Sequence, residues 1–205
     1  CREYNTYICH LTNNTFRFTI GHMNKFADTI NQSELNSYAR LLVRAGVNLK
    51  ENQCLLITTG PGNYEMAQYI AEQAYVAKAK YVHIDVSDSI VTRSRILNSD
   101  PGNLSYLPAW THSVNNELLA HDWARIRIEA NEETDVLKNI DQNGIESITR
   151  AYRQYREETQ NQLMNDMHTW CVAAAPGMAW AARCLKAEPS AETLAQFWQQ
   201  LRAVL

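Results

Sequence analysis

Apolar positions fall into two alternating patterns along this chain, and their order predicts the fold before any chemistry is considered. Cys54–Thr58, Tyr81–Val86, Trp123–Glu129 and Trp170–Ala175 are short apolar or alternating runs of strand length. Between them, apolar residues recur every three or four positions, as on one face of a helix. Ser33 is the expected N-cap of a first helix running to about Val47, with Leu35, Tyr38, Leu41, Leu42 and Ala45 inward. Gly60-Pro61-Gly62 breaks the first strand. Tyr64 to Ala79 reads as a helix with Met66, Tyr69, Ile70, Ala74 and Tyr75 as its inner stripe. Ser87 is the expected cap of a third helix, Asp88 to about Leu97, with Asp88 favourably placed at its positive end.

Pro101-Gly102 marks a loop, and Pro108 and Thr111 introduce a helix to about His121. Asp135–Ile140 reads as one or two helical turns. Ile145–Met164 reads as a long charged helix. Pro176-Gly177 separates the Trp170 strand from a helix over Met178–Leu185. Ser190 caps a final helix whose stripe is Leu194, Phe197, Trp198, Leu201 and Leu205. Strands alternating with helices imply βαβ crossovers. The expected fold class is α/β, a mostly parallel sheet of about four or more strands with helices on both faces. The final stripe reaches Leu205 without a stop signal, which leads to the expectation that the natural polypeptide continues past it.

The first 22 residues look different. They mix Asn, Thr, Tyr and Phe without helical period, and Thr15–Ile20 alternates as a strand would. Residues 1–22 are read as a non-native or disordered extension, and residues 23–205 as one α/β domain. Cys9, His10 and His22 suggest a metal only superficially, a tag-like segment being the plainer reading.

Composition narrows the function. The 205 residues carry 19 Lys and Arg against 22 Asp and Glu, for a formal charge of −3. That balance lacks the basic face a nucleic-acid partner requires. No apolar run approaches the length of a membrane span, and no signal-peptide order opens the chain. The five cysteines, Cys1, Cys9, Cys54, Cys171 and Cys184, form no CxxC pair. They fit a reducing compartment, so the expected location is cytoplasmic.

Candidate chemistry is sparse. Thr58-Thr-Gly-Pro-Gly-Asn63 follows a strand and opens a helix, where an anion could bind. It is not GxGxxG and lacks the Lys-Ser/Thr of a Walker loop, so a plain βα turn is preferred. His83, Asp85, Asp88 and Arg93 form the best polar cluster; a metal site would want a third ligand, so a strand-end histidine and a helix-capping acid are the preferred reading. Asp122 with His121 and His112 forms a second group, read as a helix end. Trp110, Trp123, Trp170, Trp180 and Trp198 are read mostly as core or interface anchors. No GxSxG elbow, HExxH pair or triad is present. No catalytic, metal or cofactor-binding residue is therefore assigned.

One resemblance adds to this picture. Tyr38–Lys50 followed by Cys54–Ile57 resembles the opening of the thermophilic metallo-aminopeptidases of the aminopeptidase T and leucyl aminopeptidase type. Ala74-Tyr75, Ala79–His83, Asp88–Leu97 and Asp135–Asp141 continue the likeness. Trp170–Trp180 resembles the family's strongest N-terminal signature, and the likeness runs from about Glu34 to Leu201. It implies a hydrolase, an exopeptidase that removes N-terminal residues from peptides with two divalent metal ions (zinc, cobalt, manganese or magnesium). It also implies a homodimer with an N-terminal α/β domain and a C-terminal catalytic domain that carries the metal ligands. This chain corresponds to the N-terminal half, so no metal ligand carries over to any position here. The expected role is scaffold, substrate access and dimer contacts, and the chain alone is expected to be inactive and metal-free. The alternatives are a stand-alone α/β nucleotide- or anion-binding module, and a purely structural dimerisation unit.

Overall fold

The computed structural model describes residues 6–11, 14–19, 30–129, 132 and 134–203. Strands β1 (Thr6–Leu11) and β2 (Asn14–Thr19) pair antiparallel as a hairpin. The alternation at Thr15–Thr19 is thus strand backbone. The side chains of Cys9 and His10, and the whole of His22, lie outside the described residues, as do Val204 and Leu205.

The main sheet holds β3 (Cys54–Thr59), β4 (Tyr81–Val86), β5 (Trp123–Glu129) and β6 (Trp170–Ala174). All its pairings are parallel, in the order β4-β3-β5-β6. The helices are α1 (Gln32–Leu41), α2 (Tyr64–Val76), α3 (Ser89–Asn98), α4 (Ala109–Ala120), α5 (Gln142–Met164), α6 (Met178–Leu185) and α7 (Ala191–Arg202). The expected α/β class is the one observed.

Register sorts the strand residues onto two unlike faces. Leu55, Ile57, Ala124, Ile126, Ile128 and Ala173 share one face and are buried. They meet Leu35 and Tyr38 of α1, Met66 and Ile70 of α2, and Leu194 and Trp198 of α7 in one core. The other face carries His83, Asp85, Leu56, Thr58, Arg125, Arg127, Trp170 and Val172. Parallel sheets are usually apolar on both faces. Here α4 and α5 cover the polar face loosely. An open cleft of 430 Å³ lies between Leu56, His83 and Trp123 of the sheet and Val114 and Leu118 of α4. A second, of 660 Å³, separates α4 from α5 near His112, Arg150 and Tyr155.

Several helix boundaries and faces differ from the sequence reading. Asn31, not Ser33, caps α1: its side chain accepts from Ser33 N at 2.9 Å. Asp88, not Ser87, caps α3, accepting from Ile90 N and Val91 N at 2.7 and 3.1 Å. In each case the capping residue has extended backbone, which aims its oxygen at the free N–H groups. After α1 a wider turn spans Leu42–Gly46. Ala39, Leu42 and Val43 face the core, while Leu41 and Ala45 are exposed. Gly46 sits against β6, where an added Cβ would come 3.0 Å from Cys171 Sγ. Tyr75 is exposed, its hydroxyl accepting from Val82 N at 3.1 Å. Asp135–Ile140 forms turns rather than a helix. Ser190 does cap α7, accepting from Thr193 N, and Leu194 and Trp198 are buried as the stripe requires.

Candidate functional site

The strand order places a switch point between β3 and β5. The chain leaves β3 for β4 on one side and returns to β5 on the other. Open α/β sheets bind ligands in this crevice, beyond the C-terminal strand ends. Three segments meet there: the turn after β3, the loop after β5 and the turn after β6.

The turn after β3 is a short 3-10 helix, Pro61–Asn63, in which Asn63 N bonds back to Gly60 O at 3.1 Å. Asn63 is fully buried, and its Nδ2 donates to Glu129 O at 2.9 Å, tying β3 to β5. Its Oδ1 is buried without a hydrogen-bond partner. Pro61 contributes no N–H. The turn does not present the row of free donors that a phosphate loop uses.

The free donors lie instead at the start of α6, where the chain fills them itself. Glu132 accepts from Gly177 N at 2.8 Å, Ala179 N at 2.9 Å and Trp180 N at 3.0 Å. Its carboxylate sits at the positive end of the helix, where an anion is favoured. The fit depends on two glycines. A Cβ at Gly177 would lie 2.7 Å from Glu132 Cδ, and one at Gly62 would lie 3.5 Å from Glu132 Cγ. Trp198 closes the turn from below, its Nε1 donating to Pro176 O at 3.0 Å. Glu132 escaped the sequence reading because its partners stand 45 to 48 residues away. Pro176-Gly177 opening an uncapped helix was the one available signal.

The polar cluster expected around His83 disperses. Asp88 caps α3. Arg93 Nη1 donates to Val136 O at 3.0 Å, fastening the turns after Glu132. Asp85 lies 3.8 Å from Arg156 of α5. His83 lines the cleft under α4. The second group also rearranges. His121 pairs with Glu117 at 3.2 Å, and His112 stacks edge-on against Tyr155. Asp122 takes different partners: Gln53 Nε2 at 2.9 Å and His168 Nδ1 at 3.2 Å. His168 Nε2 meets Gln162 Oε1 at 2.9 Å. The resulting Gln53–Asp122–His168–Gln162 chain joins the N-terminal ends of β3, β5 and β6, away from the switch point. It is a fastening between strand ends.

The tryptophans divide. Trp198 is buried edge-on to Tyr38, Trp123 packs edge-on to Tyr81, and Trp180 tilts against Phe197. Trp110 and Trp170 are exposed. Burial pushes the Cys171 thiol up to about 11 and raises the Tyr38 hydroxyl, which donates to Ala174 O at 3.0 Å. Among the described residues, no three His, Cys, Asp or Glu side chains converge to hold a metal ion. The donor set of the described residues does not fit a divalent metal. No helix among the described residues is long and apolar enough to cross a membrane.

Comparison with known proteins places these features in a wider frame. The sequence pattern of the family described as thermophilic metalloprotease (M29) matches residues 31–205. Aminopeptidase 2 of Geobacillus stearothermophilus is 25% identical over 170 residues, covering 83% of this chain and 41% of that protein. Aminopeptidase T of Thermus aquaticus is 22% identical over 167 residues, covering 82% of this chain and 41% of that protein. The structure of wild-type AmpT from Thermus thermophilus superposes with a TM-score of 0.73 at 18% identity, over 82% of this chain and 42% of that one. The chain thus spans about two fifths of the length of the relatives it matches.

Proposed function

Because this chain belongs to the thermophilic metalloprotease family M29, we propose that it is the N-terminal α/β domain of a metal-dependent aminopeptidase. The observation that carries this reading is the family match across residues 31–205. Relatives named as aminopeptidases align over the same share of the chain.

In this reading the domain supplies scaffold, substrate access and dimer contacts, and acts in the cytoplasm on peptides. Two divalent metal ions, with the carboxylates and imidazoles that hold them, belong to the three fifths of the relatives' length that the chain does not span. Paired metals polarise a scissile carbonyl and activate water near neutral pH. The Glu132 contact sets the turn after β6 and the start of α6, and so fixes one wall of the switch-point crevice. A stand-alone nucleotide- or anion-binding module is the weaker reading. The turn after β3 offers few free donors, and Glu132 already holds those of α6.

A chimera tests the proposal. Residues 31–203 would replace the matching segment of Geobacillus stearothermophilus aminopeptidase 2. Metal-dependent release of nitroaniline from aminoacyl-nitroanilides is expected from the chimera and not from the present chain. A folded chimera without activity counts against the assignment. Turnover by the purified chain with zinc, cobalt or manganese would overturn the division of labour.

A further inference from the structure

Of the two clefts beside α4, the larger has a hydrogen-bonding lining that nothing in the fold uses. It measures 660 Å³ and lies between α4, α5 and the loop before α4. Small-molecule sites span about 300–1,000 Å³. Helix spacing builds the lining: Arg150 and Gln154, one turn apart, share a face of α5 with Tyr155 and meet His112 and Asn115 of α4. Leu107 adds an apolar edge.

Asn115 is the deepest of these groups, only 8% exposed. One atom of its amide bonds Thr159 Oγ1 between the helices. The other has no partner among the described residues. Tyr155 reaches the same place. Its hydroxyl accepts from Asn115 N at 3.2 Å, and its own proton has no acceptor among the described residues. His112 packs edge-on to the Tyr155 ring, centroids 4.8 Å apart, which holds the phenol in position. Two neighbouring donors, an amide N–H and a phenol O–H, suit one acceptor oxygen.

The charge of the lining decides which oxygen. Arg150 carries its one permanent charge and is paired with Glu146. Arg153, Arg156, Glu157 and Glu158 do not border the cleft. No unpaired permanent cation draws an anion in, so a neutral carbonyl fits better than a carboxylate or a phosphate. Gln154 is exposed at the rim without a partner among the described residues. Its amide offers one donor face and one acceptor face, the complement of a second amide.

We infer that this cleft binds an uncharged stretch of peptide backbone. One peptide carbonyl accepts from Asn115 and Tyr155, and a neighbouring peptide group pairs with Gln154. The choice of a peptide among neutral carbonyl compounds rests on the aminopeptidase reading; the donor set does not.

The test titrates the full chain with N-acetyl-tetraalanine amide, followed by heteronuclear amide NMR. Saturable shifts are expected at the side-chain amides of Asn115 and Gln154 and along the facing turns of α4 and α5. Gln154→Ala should weaken binding roughly tenfold, and Tyr155→Phe, which keeps the ring against His112, about fivefold. Arg153→Gln, on α5 but outside the lining, should bind as the parent does. Gln154 is exposed, so its variant decides the matter if Tyr155→Phe is destabilised. No saturable shift at the cleft overturns the inference, as does unchanged affinity in Gln154→Ala. Tighter binding of acetate or of glucose than of the peptide also overturns it, in favour of an anion or a polyol. The chimera assay is independent of this one. An active chimera without shifts here refutes the cleft and keeps the domain assignment; shifts with an inactive chimera support the cleft and count against the assignment.

Discussion

Replacing Gly177 by alanine isolates the contact that closes the switch point. The added Cβ would lie 2.7 Å from Glu132 Cδ and 2.9 Å from its Oε2. Gly177 has φ −95° and ψ −169°, extended backbone open to any residue, so the whole penalty comes from the close approach. Overpacking of this kind costs about 1–3 kcal/mol. The penalty has a ceiling, because Glu132 can swing away and abandon its three bonds. Losing a carboxylate cap that holds three backbone N–H groups costs about 2–3 kcal/mol, given partial access of water to the freed groups. Gly177→Ala should therefore destabilise by about 1–3 kcal/mol, and Glu132→Ala by about 2–3 kcal/mol. With the glutamate gone, its three close contacts go too, and Gly→Ala then stabilises by ~0.4–1 kcal/mol through the unfolded chain. The sign of Gly177→Ala reverses between the two backgrounds. Urea unfolding of the four proteins reads this directly. Equal effects of Gly177→Ala in both backgrounds, within about 0.5 kcal/mol, would refute the reasoning.

Trp198→Ala removes a buried ring and the bond to Pro176 O, and should cost about 3–5 kcal/mol by chemical denaturation; a loss under 1 kcal/mol would contradict its place in the core. His168→Ala breaks the Asp122–His168–Gln162 fastening and should cost about 1–2 kcal/mol without altering the far-ultraviolet circular dichroism. Lys186 ends α6 at φ 53°, so Lys186→Gly should stabilise by about 0.5–1 kcal/mol, and a lower melting temperature would count against the left-handed cap. The Cys171 thiol, raised from its ordinary 9.0 to about 11, should alkylate far more slowly at pH 8 than exposed Cys184, as peptide mapping after iodoacetamide would show. Its raised value also has a consequence for stability: the contribution is complete below pH 9 and declines as pH rises toward about 11, because the unfolded chain releases that proton first. Melting temperatures that rise across this window would oppose it.

Local order decided what could be read from the sequence. The four strands of the sheet are continuous or alternating apolar runs, and chain-local periodicity is enough to expose them. The α7 stripe, its Ser190 cap and the α/β class followed from the same short-range rules. Caps were legible only to within two residues, because Asn31 and Ser33, or Ser87 and Asp88, compete with equivalent oxygens. Backbone direction at the helix entrance chose between them. The inner faces of α1 and α2 slipped in a similar way. Leu41 and Tyr75 are apolar enough for the core, yet both are exposed once α1 and α2 pack on the sheet.

Tertiary structure alone decided the rest. The order β4-β3-β5-β6 depends on which side of β3 the chain returns, and no residue in the crossover records that choice. That order creates the crevice, and it brings Glu132 to Gly177 across 45 residues. The same holds for Asp122, whose partner is His168 rather than its neighbour His121. The alternation in Trp123–Glu129 announced a strand with one polar face, but not that Arg125 would sit half-buried with its Nε unpartnered among the described residues. Periodicity records which residues avoid water. Which polar groups then meet is set by how the layers close, and that information is spread over the whole chain.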